Sequence, residues 1–426
     1  MADTKAKRRW TVLTFIAAHN NLEAFGKASL MEILGVGSTE EVVLGAFFDG
    51  KSGAGMYTMG INTPGRVEQQ QLLGTNDSGD PASVVAAAKW LFEKYPAERY
   101  GLVLWSHGTG WEPAELEQVA REVRAKPLGA VETRERSAAP GRQVLFRSTL
   151  RALLEPVKPR ERAILFDDGT GHSLDTVELG LAVEEIAASI GQPLDLLGMD
   201  ACLMANVEVA WQLRDHLKYF AASQELVPGN SWPYQKIFGD LLASPAMDGA
   251  ELARLMVEDY VARYTAAPPP AGDVTKVALD LSRLAELRDA IDEIAGALLG
   301  DMETQAKALA AAQIATRDRE SRNGLRKPNK FDFHLWDLGT LARRLGAIPG
   351  SPLLPASARL IEALQPGAGA VLAEGHLGAW FEGLSGLTVY LPLPPAMASR
   401  HYAALGFASA TRWPQMLAEY RDAFPP

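Results

Sequence analysis

Short apolar runs, separated by segments with helical spacing, constrain the fold of this chain more than any other feature. The N-terminal half carries such runs at residues 10–18, 42–48, 102–105, 194–199 and 219–223. Runs of this length are typical of strands buried on both faces of a sheet. Helical spacing lies between them, at residues 22–34, 82–95 and 174–190. Strands alternating with helices predict an α/β fold, with a mainly parallel sheet between two helical layers.

The second half of the chain has a different pattern. After about residue 240 helical spacing dominates, with helices predicted at 249–264, 281–299 and 303–315 and a late strand at 386–391. We therefore predict an α/β domain at 1–240 and a mainly helical domain at 241–426. Within the first domain, 113–162 is rich in Arg and Lys, and its small and polar residues predict a long inserted loop. A strand is predicted at 164–171, a helix at 204–216 and an exposed charged loop at 317–330.

Composition excludes several classes of protein. The net charge of −10 argues against a general nucleic-acid-binding protein, which needs a basic face. The single cysteine excludes an internal disulfide, and no apolar run approaches the roughly 20 residues that cross a bilayer. The apolar segment after the basic N-terminus is short and runs directly into His19. It indicates a first strand and not a signal peptide, so we expect a cytoplasmic protein.

Cys202, the only cysteine, lies in the stretch GMDACLMANVEVAW. An apolar run precedes it, and Leu203, Val207 and Ala210 follow at helical spacing. This pattern predicts a strand, a tight turn and a helix, with the thiol at the carboxyl end of the strand and near a helix N-terminus that favours a thiolate. The alternative is that Cys202 is a small buried core residue, the commonest role of a lone cysteine.

His107 also follows a predicted buried strand, in the run WSHGTGW. Side chains at the carboxyl ends of two parallel strands can be neighbours in space although they are far apart in sequence. Gly108 would allow the backbone to approach a substrate closely. We therefore predict that Cys202 is a nucleophile and that His107 is its general acid and base.

These motifs resemble the clostripain family of cysteine peptidases, relatives of the caspases. The resemblance is carried by WSHGTGW at 105–111 and DACLMA at 200–205, with further similarity at 10–23, 223–225, 228–234 and 386–392. It implies a caspase-like three-layer sandwich and peptide cleavage through a thioester on Cys202. By analogy, the backbone N–H groups of Gly108 and Cys202 would bind the oxyanion, with no third catalytic residue.

The resemblance also implies a substrate specificity. Asp200 corresponds to the base of a pocket for Arg, or less well Lys, before the cleaved bond, and Ser223 and Gln224 correspond to the pocket wall. The alternative for Asp200 is a strand-end acid that caps the next helix. Two departures weaken the match: Asn230 stands where many relatives carry an acid, and His19 begins a run where relatives commonly begin with Asp.

Several expectations about regulation remain. Some relatives need calcium, and Asp167 and Asp168 are the acids to consider, although no ligand set can be named and we expect no cofactor. Some relatives mature by a cut between the two motifs, so we expect self-cleavage between Arg121 and Arg147, within the insertion at 113–162. We also expect a protein activator and a role in a bacterial signalling or immune cascade. The alternative from another class is a regulatory or scaffold protein with a decayed protease fold.

Overall fold

The computed structural model describes residues 8–74, 76–111, 164–267, 273–321, 330–348 and 351–424. The strands within these ranges are β1 (Arg8–Ala17), β2 (Val42–Gly50), β3 (Gly53–Met59), β4 (Val67–Gly74), β5 (Ala97–Trp105), β6 (Leu194–Asp200), β7 (Leu217–Ala222), β8 (Val274–Asp280), β9 (Leu335–Asp337), β10 (Val371–Leu377) and β11 (Thr388–Tyr390). The basic insertion predicted at 113–162 lies outside the described residues.

One mixed sheet forms the centre of the described structure, with the strand order β10-β8-β7-β6-β5-β1-β2-β3-β4. The five strands from β7 to β2 are mutually parallel. The β3–β4 hairpin extends one edge with antiparallel pairing, and β8 and β10 extend the other. The parallel core confirms the fold class that the alternating pattern predicted.

The helices within the described ranges are α1 (Glu23–Val36), α2 (Pro81–Lys94), α3 (Thr176–Ile190), α4 (Val207–Leu213), α5 (Tyr234–Ala243), α6 (Gly249–Ala266), α7 (Leu284–Leu299), α8 (Met302–Ser321), α9 (Leu338–Gly346), α10 (Leu354–Ala363), α11 (Gly406–Ser409) and α12 (Trp413–Asp422). Of these, α1, α2, α3 and α6 pack against the mixed sheet. Helix α2 packs against α3, and α5 packs against both α1 and α6. Short 3₁₀ helices lie at Leu281–Arg283, Lys330–Phe333, Ala379–Phe381 and Tyr402–Ala404. No described helix has both the length and the apolar character that crossing a membrane requires.

The sheet continues across the boundary predicted at residue 240, because β8 and β10 come from the second half of the chain. The pattern did not reveal β8, since a lysine, Lys276, interrupts its apolar run. The predicted late strand is β11, which pairs with β9 in a separate small sheet. The second half is therefore rich in helices, as expected, but it also completes the central sheet.

Three local predictions are wrong. In place of a strand at 164–171, Ile164 makes only isolated bridges to Gly108 and Leu174, and a turn follows. The helix predicted at 204–216 is limited to α4, since the side chain of Asn206 accepts a hydrogen bond from the Val209 N–H and caps the helix there. At the predicted loop 317–330, α8 continues to Ser321 and Lys330 is fully buried, while 322–329 lies outside the described residues.

Candidate active site

A cleft at the carboxyl ends of the central strands contains both His107 and Cys202. His107 follows β5 and Cys202 follows β6, and these strands are neighbours in register, with Trp105 opposite Asp200. The turn at 227–231 and Leu22 complete the lining of the cleft. The sheet therefore brings together two side chains that are far apart in sequence, which is the arrangement predicted from the ends of parallel strands.

Gly108 lies directly against the Cys202 turn. A Cβ built on Gly108 would be 2.5 Å from the carbonyl oxygen of Cys202, which is closer than any real Cβ contact. Only glycine permits this approach without displacing the backbone. The two residues predicted to supply oxyanion donors are therefore adjacent, and their donor role remains a prediction.

His107 is held by Asn21, a residue that the sequence reasoning did not assign. Nε2 of His107 lies 2.7 Å from the side-chain oxygen of Asn21, and the imidazole is 4% exposed. A carboxamide oxygen can only accept a hydrogen bond, so Nε2 carries the proton and Nδ1 has the lone pair. The sequence signal was a polar run, His19-Asn20-Asn21, at the end of β1, which is the strand next to β5.

The thiol of Cys202 is enclosed. It is 5% exposed, and the backbone N–H of Val227 lies 3.2 Å from Sγ. Burial is the main cause that raises the pKa of the thiol to about 12; the charges of Asp200 and Glu225 act in the same direction, and the hydrogen bond from Val227 opposes them. The prediction that a helix N-terminus lies beside the thiol and favours the thiolate is wrong, because α4 begins at Val207, five residues after Cys202. A thiol with a raised pKa stays protonated near neutral pH unless a base removes its proton.

The turn that carries Cys202 has a strained backbone. Leu203 has a φ of 66°, in the left-handed region that a branched residue rarely adopts. Its N–H donates to the carbonyl of Glu225, and the N–H of Ala205 donates to the carbonyl of Ser223. Contacts with the chain after β7 therefore hold the turn in a shape that its own sequence disfavours.

The late strand supports the same turn from the other side. The N–H and hydroxyl of Thr388 both donate to the carbonyl of Ala205, each at 3.0 Å. The carboxylate of Glu208 accepts the N–H of Tyr390 at 3.0 Å and the hydroxyl of Tyr402 at 2.9 Å. The motif at 386–392 thus belongs to the framework of the Cys202 turn.

Asp200 lines the cleft beside the thiol but is only 3% exposed. One carboxylate oxygen, Oδ2, accepts the hydroxyl of Tyr234 at 2.8 Å, the N–H of Trp232 at 3.3 Å, and the hydroxyl of Ser231. The other oxygen, Oδ1, is buried with no hydrogen-bond partner among the described residues. Burial raises the pKa of this carboxyl, and the cation of Lys276 opposes the shift.

Ser223 and Gln224, predicted as the pocket wall, lie behind the cleft and not along it. Their exposures are 0% and 1%, and the wall next to Cys202 is formed by 227–231. Glu225, the neighbouring acid, is engaged elsewhere, because its carboxylate accepts from the buried ammonium of Lys330 at 2.9 Å. Sequence position after β7 identified the correct region but could not show which of its residues face the cleft.

One group in the described chain has metal-ligand character: His19, Asp49 and Asp167, with one atom from each within 4.8 Å of the others. Burial and the neighbouring charge of Asp167 together raise the pKa of the Asp49 carboxyl to about 6. Calcium takes six to eight oxygen ligands, whereas this group offers a nitrogen and two carboxylates. The oxygens of Asp167 already accept from Ser78, Gly169 and Thr170. These residues therefore do not fit a calcium site.

Comparison with known proteins agrees with this geometry. The sequence profile described as the clostripain family matches residues 14–124 and 151–420, so the chain belongs to the clostripain family. It is a cysteine peptidase. No curated protein matches the sequence.

Solved structures share the fold at low sequence identity. A secreted C11 cysteine protease from Bacteroides thetaiotaomicron with an irreversible peptide inhibitor is 20% identical, with a TM-score of 0.59 over 95% of this chain and 99% of that one. Another structure of a secreted C11 protease from that organism, iotapain, is 15% identical, with a TM-score of 0.63 over 96% and 100%. An inactive zymogen C11 protease from Parabacteroides distasonis is 18% identical, with a TM-score of 0.60 over 96% and 99%.

Proposed function

We propose that the protein is an endopeptidase in which Cys202 and His107 act as a catalytic dyad. Nδ1 of His107 takes the thiol proton as Sγ attacks the peptide carbonyl carbon. The imidazolium then gives that proton to the leaving amine as the C–N bond breaks, which leaves a thioester. Water attacks the carbonyl carbon of the thioester as His107 takes a proton from it. The C–S bond then breaks, His107 gives this proton to Sγ to restore the thiol, and the acyl group leaves as a carboxylic acid.

The observation that carries this proposal is the position of both side chains in one cleft, with His107 oriented by Asn21. A thiol with a raised pKa fits a mechanism in which the histidine removes the proton during attack. The backbone N–H groups of Gly108 and Cys202 would stabilise the developing oxyanion.

The test is covalent labelling with a peptidyl ketone electrophile that carries arginine before the reactive carbon. Mass spectrometry of the parent protein should place the adduct on Cys202. The variants Cys202→Ala and His107→Ala should bind no label or react far more slowly. An unlabelled parent that is folded by circular dichroism would instead support the scaffold alternative.

For specificity we propose arginine before the cleaved bond, and less well lysine, with Asp200 as the recognition group. A carboxylate can pair with a guanidinium through two parallel hydrogen bonds, which an ammonium cannot reproduce. The support is the position of Asp200 in the lining of the cleft, beside Cys202. Asn230 provides no second charge in the neighbouring turn.

Maturation and location are further parts of the proposal. We propose self-cleavage between Arg121 and Arg147, by the arginine preference of the enzyme itself, and action in the cytoplasm in a bacterial signalling or immune cascade with a protein activator. This segment lies outside the described residues, and its support is its sequence position between the two motifs and its many Arg and Lys residues. The chemistry proposed for the dyad requires no metal or cofactor.

A further inference from the structure

The cluster formed by His19, Asp49 and Asp167 lies outside the lining of the active-site cleft. His19 follows β1, and Asp49 lies near the end of β2, which is the neighbouring strand. Nδ1 of His19 is 3.2 Å from Oδ1 of Asp167. Two atoms bound tetrahedrally to Zn²⁺ at about 2.0–2.1 Å lie about 3.3 Å apart. This pair therefore already has the spacing of two ligands of one zinc ion.

Asp49 is the member of this cluster whose burial the surrounding protein leaves uncompensated. Its side chain is 1% exposed, and Oδ2 has no hydrogen-bond partner among the described residues. Burying a carboxylate is costly unless a partner compensates it. The charge of Asp167 adds to this cost, since it acts on Asp49 as a second negative charge. An oxygen of Asp49 nevertheless lies within 4.8 Å of the ligand atoms of the other two residues.

The composition of the cluster suits a small divalent cation that binds both nitrogen and oxygen. Two carboxylates and a neutral imidazole carry a charge of −2, which Zn²⁺ balances. Zinc binds both ligand types at about 2.0–2.2 Å, and three protein ligands are sufficient when water occupies the fourth position. Calcium needs six to eight oxygens. The residues that do not fit calcium therefore fit the ligand set and the coordination number of zinc.

Neighbouring groups hold two of the ligands in position. Oδ1 of Asp167 accepts the backbone N–H groups of Gly169 at 2.8 Å and of Thr170 at 3.1 Å. Carboxylates that bind metals are commonly hydrogen-bonded at the same time, so these bonds orient Asp167 without excluding an ion. The imidazole of His19 packs on Gly169, where a Cβ would be 2.2 Å from Cε1. The His19 side chain is 29% exposed and gives an ion a route from solvent.

The cluster is connected to the segments that contact His107. Asn21, which hydrogen-bonds the catalytic imidazole, is two residues after His19. The ring of Phe166 lies edge-on to that imidazole, with the ring centres 5.9 Å apart. The N–H of Asp168 donates to the carbonyl of His19 at 2.9 Å and joins these two segments. An ion held by the cluster would fix the same two segments to each other.

We propose that His19, Asp49 and Asp167 form a zinc site, with water as the fourth ligand, that stabilises the segments around His107. The imidazole and one oxygen of each carboxylate replace waters of the hydrated ion. The site takes no part in the proposed cleavage chemistry, and binding there needs neither the thiol nor a substrate. It is therefore a site beyond the proposed function.

The test is a zinc titration of the full-length Cys202→Ala protein. This variant removes the thiol, which is itself a zinc ligand, and it cannot cleave itself through Cys202. Protein stripped with EDTA and dialysed is titrated with zinc chloride by isothermal calorimetry. We expect one equivalent to bind, and the thermal unfolding midpoint to rise with zinc concentration, because a ligand of the native state stabilises it. Calcium chloride at the same concentrations should not raise the midpoint.

Two ligand variants in the Cys202→Ala background locate the ion. Asp49→Asn and His19→Gln should each weaken zinc binding by at least about tenfold, since losing a residue that only supports a ligand already costs about 10- to 100-fold. Because Asp49 is buried, His19→Gln at the partly exposed position covers the case in which Asp49→Asn does not fold. The control is His216→Ala, which removes an exposed histidine 4.0 Å from Glu184 and should keep the affinity unchanged.

Three outcomes would overturn this inference. They are the absence of zinc binding to the Cys202→Ala protein, an unchanged affinity in the folded ligand variants, and a midpoint raised by calcium but not by zinc. His172 also contacts a carboxylate, that of Asp77. Loss of binding in His172→Ala with full binding in His19→Gln would place the ion at that pair and would equally overturn the assignment. The covalent labelling of Cys202 tests the proposed function separately.

Discussion

The side-chain oxygen of Asn21 lies 2.7 Å from Nε2 of His107. This contact joins the carboxyl ends of β1 and β5, which are neighbouring strands of the central sheet. It selects the tautomer with the proton on Nε2, so that Nδ1 is the basic nitrogen. The family resemblance implied a dyad with no third catalytic residue, and Asn21 fits that statement as a residue that orients the histidine.

Replacing Asn21 should impair chemistry more than substrate binding. Asn21→Ala should lower kcat by about 10- to 100-fold, less than most of the roughly 10²–10⁴-fold that general acid–base assistance contributes, because the histidine itself remains; the effect on KM should be smaller. Asn21→Asp should recover much of kcat and raise the pKa of His107, because a nearby carboxylate stabilises the imidazolium. Steady-state kinetics and a pH profile of kcat test both. The matched control is Asn76→Ala, since Asn76 hydrogen-bonds Ser83 and not the histidine; equal losses in the two alanine variants would contradict the orienting role.

The buried thiol should react slowly with alkylating agents in the absence of substrate. Its pKa is raised to about 12, so the thiolate fraction should grow about tenfold per pH unit between pH 6 and pH 9 without reaching a plateau. The rate of iodoacetamide modification at Cys202, followed by mass spectrometry on folded protein, measures this. A rate that levels off below pH 8 would show a preformed thiolate–imidazolium pair instead.

The basic insertion should be an activation segment. We expect the purified parent to be cut between Arg121 and Arg147, with fragments that remain associated because both halves supply strands to one sheet. The Cys202→Ala protein should remain a single chain, because it cannot cut itself. Denaturing electrophoresis shows whether the chain is cut, and size-exclusion chromatography shows whether the fragments remain associated. An intact parent with full activity would mean that the insertion is a surface loop and that control comes from elsewhere.

Asp200→Asn should remove the preference for arginine. The carboxylate would make a charge-assisted pair with the substrate, and losing one partner of a buried pair typically costs about 2–5 kcal/mol, which is roughly 30- to several-thousand-fold in kcat/KM. A peptide with leucine before the cleaved bond should lose far less. If the variant keeps the arginine preference of the parent, Asp200 is not the recognition group. The neighbouring acid Glu225 would be a poor replacement for it, because Lys330 already pairs with that carboxylate.

The strand-and-helix pattern predicted the parallel core correctly because β1, β2, β5 and β6 are buried on both faces and carry continuous apolar runs. It failed at β8, where the charged side chain of Lys276 is buried by aromatic rings that come from elsewhere in the chain. It also overextended the helix after Cys202, since the capping role of Asn206 depends on the fold around it. Buried charges and caps follow from tertiary contacts, which local periodicity does not encode.

At the candidate site, too, the sequence motifs predicted some features and missed those that depend on tertiary contacts. The motifs around His107 and Cys202 were sufficient to predict that the two side chains share a cleft. They could not reveal Asn21, which acts through the pairing of β1 with β5, or the enclosure of the thiol by Val227. The expected low pKa of Cys202 relied on a helix that begins too late to influence it, and burial outweighs any such effect here.

The most direct test of the central claim is to incubate the protein with a peptide library from a digested proteome and to sequence the products by mass spectrometry. New C-termini at arginine, with fewer at lysine, are expected in the parent sample. Cys202→Ala and His107→Ala proteins, shown to be folded by their thermal unfolding midpoints, should give none above background. New C-termini that persist in the Cys202→Ala sample, or their absence from the parent sample, would contradict the assignment of Cys202 as the nucleophile of an active endopeptidase.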